Sequence, residues 1–222
     1  MVNGHEKMTA DGVELTPCAV VDLDGTLLRG NSFRLFIRFL AGKLRREGRY
    51  ASLSRMIALL AARRLRLISH VGMKYPIHRL ASRIVTDAEL ADFTNRILLP
   101  AVNAPLLDEL KRLKASGHCL LLATAAPDLY VPQLSLQLGF DAWTATSLSS
   151  TLKDYAENRG ARKRDRALDF ARQHGCIIAV VATDHEDDLP LLLLPDLRRL
   201  LVNPTPVLRT KLSESSLTFH EF

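Results

Sequence analysis

The 222-residue chain has little cysteine and few aromatic side chains. Its three cysteines, Cys18, Cys119 and Cys176, are too few and too scattered for a disulfide framework or a zinc cluster. We therefore expect buried free thiols in a reducing compartment. Aromatic residues make up only 6%, but 47% of residues are hydrophobic and 24% are charged, which is typical of a folded protein and not of a disordered chain.

The chain also lacks a long apolar run. The apolar run over residues 56–62 is ended by Arg63 and Arg64, well short of the length that crosses a bilayer. Residues 1–17 have no apolar core of the kind found in a secretory signal, and we interpret them as a loose leader before the first strand. These absences predict a cytoplasmic protein.

Acidic residues are nearly missing from one segment. Between Gly25 and Val85 there are 14 Lys or Arg and a single acid, Glu47, which gives a local charge of +13. The rest of the chain holds 16 basic and 23 acidic residues, or −7, and the two parts sum to the net charge of +6. A basic segment within a mildly acidic body suggests an anionic partner.

Hydrophobic spacing predicts an α/β fold with a helical insertion. A buried strand is expected over residues 18–25, and helical spacing over residues 32–99 predicts three or four helices, with turn signals at Gly48, Gly72, Pro76 and Thr86. Helices and short apolar strands then alternate. Strands are expected over residues 119–124, 143–146, 177–183 and 199–202, and helices over 106–116, 129–138 and 164–173. We expect the strand over 199–202 to be the last in the chain. This alternation predicts a Rossmann-like parallel sheet covered by helices on both faces.

Polar residues follow three of the predicted strands. Asp22 and Asp24 end the first strand, Thr124 ends the second, and the strand over 177–183 runs into Asp184 and Asp188. The carboxyl ends of parallel strands meet at one edge, so these carboxylates would converge and raise one another's pKa. A hard cation such as Mg²⁺ would relieve that repulsion, which indicates a metal holding a phosphate close to a carboxylate.

These segments resemble a known superfamily. DLDGT over residues 22–26, LLLAT over 120–124, a basic residue before a helix, and TDHEDD over 183–188 are similar, in order, to the four motifs of the haloacid dehalogenase superfamily. The resemblance spans residues 18–204. The run TAAPDLYVPQLSLQLGFD with the following TATSL resembles the phosphoserine-phosphatase-like branch, which carries a helical cap.

The resemblance implies roles for five residues. Asp22 would be the nucleophile that forms an aspartyl-phosphate, and Asp24 would protonate the leaving oxygen and then activate water. Thr124 would hydrogen-bond the phosphoryl oxygens. Mg²⁺ would be held by Asp22, the backbone carbonyl of Asp24, Asp184 and Asp188. Dehalogenases lack the second aspartate, so Asp24 points to hydrolysis of a phosphate ester.

The basic residue of the third motif has several candidates. Lys163 precedes a predicted helix, with room for one helix and one strand before Asp184, and it is our choice for charge stabilisation of the phosphoryl group. Lys153 would leave an extra loop, and Arg162 and Arg164 remain alternatives.

The fourth motif departs from the family pattern. Thr183 stands where the family usually has glycine, and His185 and Glu186 replace smaller residues. Asp187 is an alternative metal ligand, although the spacing of four from Asp184 favours Asp188. His185 would suit a transition metal, but the carboxylate-rich loop favours Mg²⁺.

The resemblance divides the chain into an α/β phosphatase core, residues 1–31 and 100–222, and a helical cap, residues 32–99, that controls access. We therefore predict a Mg²⁺-dependent phosphatase that hydrolyses a phosphate monoester of a small molecule. Residues 52–73 combine an apolar body with an arginine cluster, so one alternative is a phosphatidylglycerophosphate-type lipid phosphatase at the inner membrane surface. Another alternative is a non-catalytic anion- or nucleic-acid-binding member of the fold. The full set of expected catalytic side chains disfavours this alternative, and we do not expect nucleic acid as a partner.

Overall fold

A computed structural model describes residues 15–215 and 217–222 of the chain. Within these residues, six parallel strands form one sheet in the order β3-β2-β1-β4-β5-β6. The strands are β1 Thr16–Val21, β2 Cys119–Pro127, β3 Ala142–Thr146, β4 Cys176–Thr183, β5 Arg198–Leu201 and β6 His220–Glu221. The predicted parallel sheet is confirmed, while residues 1–14 of the predicted leader lie outside the described residues.

Helices cover the sheet and fill the segment between β1 and β2. Four helices follow β1 directly: α1 Ser32–Arg46, α2 Tyr50–Arg64, α3 His70–Ile84 and α4 Asp87–Phe93. A π-helical turn, Thr94–Leu98, and a 3-10 turn, Leu99–Ala101, then lead to the remaining helices, which are α5 Ala104–Ala115, α6 Val131–Gln137, α7 Ala161–Gln173, α8 Leu189–Leu192 and α9 Pro206–Glu214. The helical character predicted for residues 32–99 is confirmed.

Two predicted features are wrong. The strand near residue 200 is not the last, because β6 follows it and pairs with β5 through Leu200 and His220. β6 has only two residues, both exposed, so no apolar pattern in the sequence predicts it. Gly72 and Pro76 were expected to mark turns but lie inside α3, where burial of neighbouring side chains such as Ile77 outweighs their poor helix propensity.

Alternate residues of β1 face two hydrophobic layers. Ala19 and Val21 pack into the layer that also contains residues of the helical insertion, whereas Cys18 and Val20 pack into the layer beneath α7 and α9. All four side chains are at most 1% exposed, so β1 is covered on both faces. This burial explains its continuous apolar sequence.

An aromatic cluster joins the helical insertion to α6. Phe36 of α1 and Phe93 of α4 lie with ring centroids 5.3 Å apart, and Tyr130, at the start of α6, lies 5.2 Å and 5.3 Å from them. All three side chains are fully buried. The Tyr130 hydroxyl is also 3.0 Å from the Ser32 hydroxyl, which ties the first turn of α1 to the same cluster.

The described helices include none that is long and apolar enough to span a membrane.

We predict that Phe93→Ala lowers the free energy of unfolding by about 3–5 kcal/mol, because it opens a cavity among fully buried rings. Leu136→Ala is the control, because Leu136 is 78% exposed and should change stability by less than about 0.5 kcal/mol. Urea unfolding measures both variants. Equal losses in the two would show that the aromatic cluster does not hold the insertion in place.

Candidate active site

The carboxyl ends of β1 and β4 bring the predicted aspartates together. Asp22 directly follows β1 and Asp184 directly follows β4, and these strands are neighbours with Val21 paired to Ala182. The Asp22 amide donates a 2.9 Å hydrogen bond to the Ala182 carbonyl. Both carboxylates therefore start from the same edge of the sheet, as the sequence predicts.

Lys163 lies between two of the carboxylates. Its Nζ donates hydrogen bonds to Asp22 Oδ1 at 2.7 Å and to Asp188 Oδ2 at 2.9 Å, and the lysine is 4% exposed. The helix carrying it begins at Ala161 and not at Arg164 as predicted, which places Lys163 within the first turn of α7. The structure thus positions the predicted lysine against the predicted nucleophile.

The rival basic residues do not reach this position. Lys153 and Arg162 are exposed, and Arg164 forms an ion pair with the adjacent Asp165. Of these four candidates, Lys163 is the one whose side chain contacts Asp22.

Charge at this edge is unbalanced. Burial raises the pKa of Asp22 to about 7, against the opposing effect of Lys163, and the charges of Asp188 and Asp184 add to the rise. Burial also raises the pKa of Asp184 to about 6, with a further contribution from Asp188. Burial acts to lower the pKa of Lys163, but the carboxylates of Asp188 and Asp22 outweigh it and raise that pKa. Three carboxylates therefore lie close together, and one ammonium pairs with two of them, Asp22 and Asp188.

Asp24 faces the start of the helical insertion. Its Oδ1 accepts a 2.7 Å hydrogen bond from the backbone N–H of Ser32, the first residue of α1. Burial raises the pKa of Asp24, although the Ser32 hydrogen bond and the charge of Lys74 oppose the rise. A raised pKa suits a carboxyl group that holds a proton near neutral pH.

Thr124 is not at the end of its strand. The predicted strand end is wrong, because β2 continues to Pro127 with a shift of register after Ala123. Thr124 is 1% exposed, and its hydroxyl accepts a 3.0 Å hydrogen bond from the Ala126 N–H. Because Leu122 pairs with Val21, Thr124 lies level with the residue after Asp22 in the neighbouring strand. Its contact with phosphoryl oxygens remains a prediction.

Gly25 and Thr26 position Asp184 against the first motif. The Thr26 hydroxyl lies 3.3 Å from both Asp22 Oδ2 and Asp184 Oδ1 and can donate to one of them at a time. Gly25 has φ +87°, and a Cβ there would lie 2.0 Å from Asp184 Oδ2. Both residues belong to the DLDGT motif, but we did not predict them as site residues.

The substituted fourth motif has a structural consequence. Thr183 Oγ1 donates a 2.8 Å hydrogen bond to Asp188 Oδ2, a bond that the glycine usual at this position does not form. Asp188 is 3% exposed, whereas Asp187 pairs with Arg159 at 2.5 Å and its backbone N–H donates a 3.2 Å hydrogen bond to His185 Nδ1. The geometry therefore favours Asp188 over Asp187 as the residue that faces the site.

The donor set fits a hard divalent cation. Within residues 15–215 and 217–222, no three His, Cys, Asp or Glu side chains form a ready-made metal cluster. Asp188 Oδ1 is nevertheless buried without a hydrogen bond, although the Lys163 ammonium is 2.7 Å away in poor hydrogen-bond geometry. An orphaned carboxylate oxygen, together with the excess negative charge, is what Mg²⁺ would satisfy. The ligand set Asp22, Asp24, Asp184 and Asp188 remains a prediction.

A family model described as haloacid dehalogenase-like hydrolase matches residues 19–193, which is most of the chain. The chain belongs to this family. No curated protein matches its sequence. The fold of this hydrolase is similar to that of a protein of unknown function from Bordetella pertussis Tohama I, with a TM-score of 0.76, 19% identity, and coverage of 92% of this chain and 98% of that one.

Two further solved structures share the fold of the hydrolase. A HAD family hydrolase from Salmonella enterica subsp. enterica serovar Typhi has a TM-score of 0.60 and 16% identity, over 94% of this chain and 68% of that one. A substrate-bound phosphoserine phosphatase has a TM-score of 0.54 and 15% identity, over 90% of this chain and 91% of that one. At these identities the likeness is one of fold.

Two polar residues of the hydrolase near the site were missed. Lys74 of α3 is 3% exposed, and its Nζ donates to the Ala125 carbonyl at 2.7 Å and to Glu157 Oε1 at 2.5 Å. The Asn158 amide donates a 3.1 Å hydrogen bond to the Thr124 carbonyl. Each is a single polar residue in a helical or loop pattern, so only the tertiary structure shows that it lies near the candidate site.

We predict that Gly25→Ala destabilises the hydrolase more than Gly117→Ala, as measured by urea unfolding. The two glycines have similar φ, +87° and +90°, so both substitutions introduce the same backbone strain. Only at Gly25 does the new Cβ collide with Asp184, because no atom of the described residues lies within 4 Å of the Cβ that Gly117→Ala would add. Equal losses would mean that the motif loop yields freely and does not hold Asp184.

Proposed function

We propose that this hydrolase is a Mg²⁺-dependent phosphatase that cleaves a phosphate monoester of a small molecule through an aspartyl-phosphate intermediate. The observation that carries the proposal is the buried Lys163 ammonium, which lies 2.7 Å from Asp22 Oδ1. A second aspartate, Asp24, follows Asp22 by two positions in the sequence. The shared fold of a substrate-bound phosphoserine phosphatase is consistent with it.

The first half of the reaction transfers the phosphoryl group to Asp22. A carboxylate oxygen of Asp22 attacks phosphorus, and the bond from phosphorus to the ester oxygen breaks. Asp24, whose pKa is raised by burial, gives its proton to the departing oxygen. Lys163 and the Thr124 hydroxyl would offset the charge on the transferring group.

The second half hydrolyses the aspartyl-phosphate. Asp24, now ionised, takes a proton from a water molecule whose oxygen attacks phosphorus, which releases inorganic phosphate and regenerates the Asp22 carboxylate. The 2.7 Å hydrogen bond from the Ser32 N–H holds one Asp24 oxygen in place during both steps. Asp24 thus returns to its protonated form for the next substrate.

The metal would be held by Asp22, the Asp24 carbonyl, Asp184 and Asp188, and when bound it would supply positive charge against the phosphoryl oxygens. Asp188 is oriented for this by Thr183 at 2.8 Å and by Lys163 at 2.9 Å.

We further propose that residues 32–99 act as a cap on a core formed by residues 1–31 and 100–222. Lys74 supports this division, since it reaches from α3 to the Ala125 carbonyl, one residue beyond Thr124. The Lys74 ammonium also lies 5.4 Å from the centre of the Phe33 ring. A cap held this close would exclude water and select the substrate.

We predict that the parent protein releases phosphate from p-nitrophenyl phosphate only with Mg²⁺, and that Asp22→Asn reduces kcat by at least about 10³-fold, because the amide is a poor nucleophile. Asp165→Asn is the control: this exposed aspartate on α7 pairs with Arg164 and should leave kcat within about twofold.

Turnover by Asp22→Asn at the parental rate would contradict the proposed nucleophile. If the parent itself releases no phosphate, fluorine NMR with beryllofluoride decides between two cases. A complex that the Asp22→Asn substitution removes means an intact site behind a selective cap. No complex favours the non-catalytic anion-binding alternative.

A lipid headgroup is the second candidate substrate, favoured by the surface around the end of α2. Ile57, Leu65 and Leu67 are 54%, 69% and 73% exposed. Arg63, Arg64 and Arg66 lie beside them and are exposed as well. Apolar side chains interspersed with arginines are typical of a helix that lies on an anionic membrane, which would place the hydrolase peripherally at the inner membrane surface.

We predict that the protein cosediments with phosphatidylglycerol vesicles at low salt and that the double variant Arg63→Gln/Arg64→Gln binds them roughly thirtyfold more weakly, from about 1 kcal/mol per arginine near the surface. Lys111→Gln/Arg112→Gln on α5 makes the same change of net charge elsewhere and should retain binding. No binding by the parent at low salt would remove the membrane alternative.

A further inference from the structure

The helical insertion contains a cavity away from the catalytic edge. It has a volume of about 400 Å³ and lies between α2 and α3. Leu59 and Met56 of α2 and Leu80 and Ile77 of α3 contribute its apolar surface. Its lining includes none of the aspartates, Lys163 or Thr124, so this cavity is separate from the proposed phosphatase site.

Three arginines surround the apolar surface. Arg55 comes from α2, while Arg79 and Arg83 are one helical turn apart on α3, and all three are exposed residues that line the cavity. Arg79 Nη1 donates a long 3.4 Å hydrogen bond to the Tyr75 hydroxyl. Within the described part of the chain, no carboxylate forms an ion pair with any of the three.

This combination differs from an ordinary solvated basic face. Three guanidinium groups from two helices, none paired with a described carboxylate, attract an anion, and each presents a planar fork that matches a carboxylate or a phosphate. The leucine side chains below them leave apolar surface uncovered that a ligand would bury. An anionic group alone would satisfy the arginines but not the leucines.

We propose that this cavity binds a single-chain amphiphilic anion, with its hydrocarbon chain against Leu59 and Leu80 and its head group at Arg55, Arg79 and Arg83. The volume of about 400 Å³ is near the lower end for small-molecule sites, and it suits one chain of medium length and not a two-chain phospholipid. The proposal goes beyond the phosphatase function and does not depend on Asp22.

The test is isothermal titration calorimetry of the full-length protein with decanoate, kept below its micelle-forming concentration. The buffer contains EDTA and no Mg²⁺, so that an anion site at Asp22 lacks the cation it would need, while the three arginines stay free to bind decanoate. We expect one molecule of decanoate per chain. Arg79→Gln/Arg83→Gln should weaken binding at least about tenfold, because both forks are lost.

Two further variants make the test specific. Arg63→Gln/Arg64→Gln removes the same charge from α2 outside the cavity lining and should bind decanoate within about twofold of the parent. Ser52→Trp adds bulk to the wall of the cavity and should abolish binding. Unfolding midpoints check that each variant folds, and the arginine variants, which change exposed side chains only, decide the matter if Ser52→Trp does not.

The proposal is overturned if decanoate gives no saturable binding, if both arginine double variants lose affinity equally, or if butyrate binds as tightly as decanoate. Loss confined to Arg63→Gln/Arg64→Gln also overturns it, since that result indicates adsorption to the outer surface of α2. None of these readouts uses turnover, so a failed phosphatase assay and a failed binding test remain distinguishable.

Discussion

The ion triad of Lys163 with Asp22 and Asp188 is the interaction on which the rest of this site depends. It connects three separate segments: the end of β1, the first turn of α7 and the turn after β4. A buried charge is tolerated only with partners, and removing one partner of a buried pair typically costs about 3–5 kcal/mol. The triad therefore determines how closely these three segments can approach.

The same triad leaves the carboxyl-terminal edge of the sheet with too much negative charge. One ammonium pairs with only two of the three carboxylates, and buried Asp188 Oδ1 accepts no hydrogen bond from any described residue. The fold maintains this repulsion through local devices: Thr183 donates to Asp188, and the Thr26 hydroxyl lies between Asp22 and Asp184. Holding like charges close together lowers the stability of the fold. Such an arrangement is expected at a site where a bound cation would balance the charge.

Sequence reasoning succeeded where the signal is local. The continuous apolar run of β1 follows from burial on both faces. Asp22 and Lys163, which ordered motifs assign to one site, lie 2.7 Å apart, and their catalytic roles remain predictions. It failed where tertiary contacts decide: α3 continues through Pro76, and β2 extends past Thr124. Lys74 was missed for the same reason, since nothing in its helical neighbourhood indicates that its ammonium meets Ala125 and Glu157.

The basic segment over residues 25–85 divides by residue type. Its two lysines are buried and paired: Lys43 contacts Glu47 and Glu89 at 2.5 and 2.6 Å, and Lys74 contacts Glu157. Among its arginines, only Arg49 pairs with a described carboxylate, at 3.9 Å. The lysine charges thus hold the helices to one another and to the core. The arginines are exposed and, Arg49 apart, form no ion pair with a described carboxylate. An anionic ligand or surface would therefore interact with these arginines and not with the whole charge of +13.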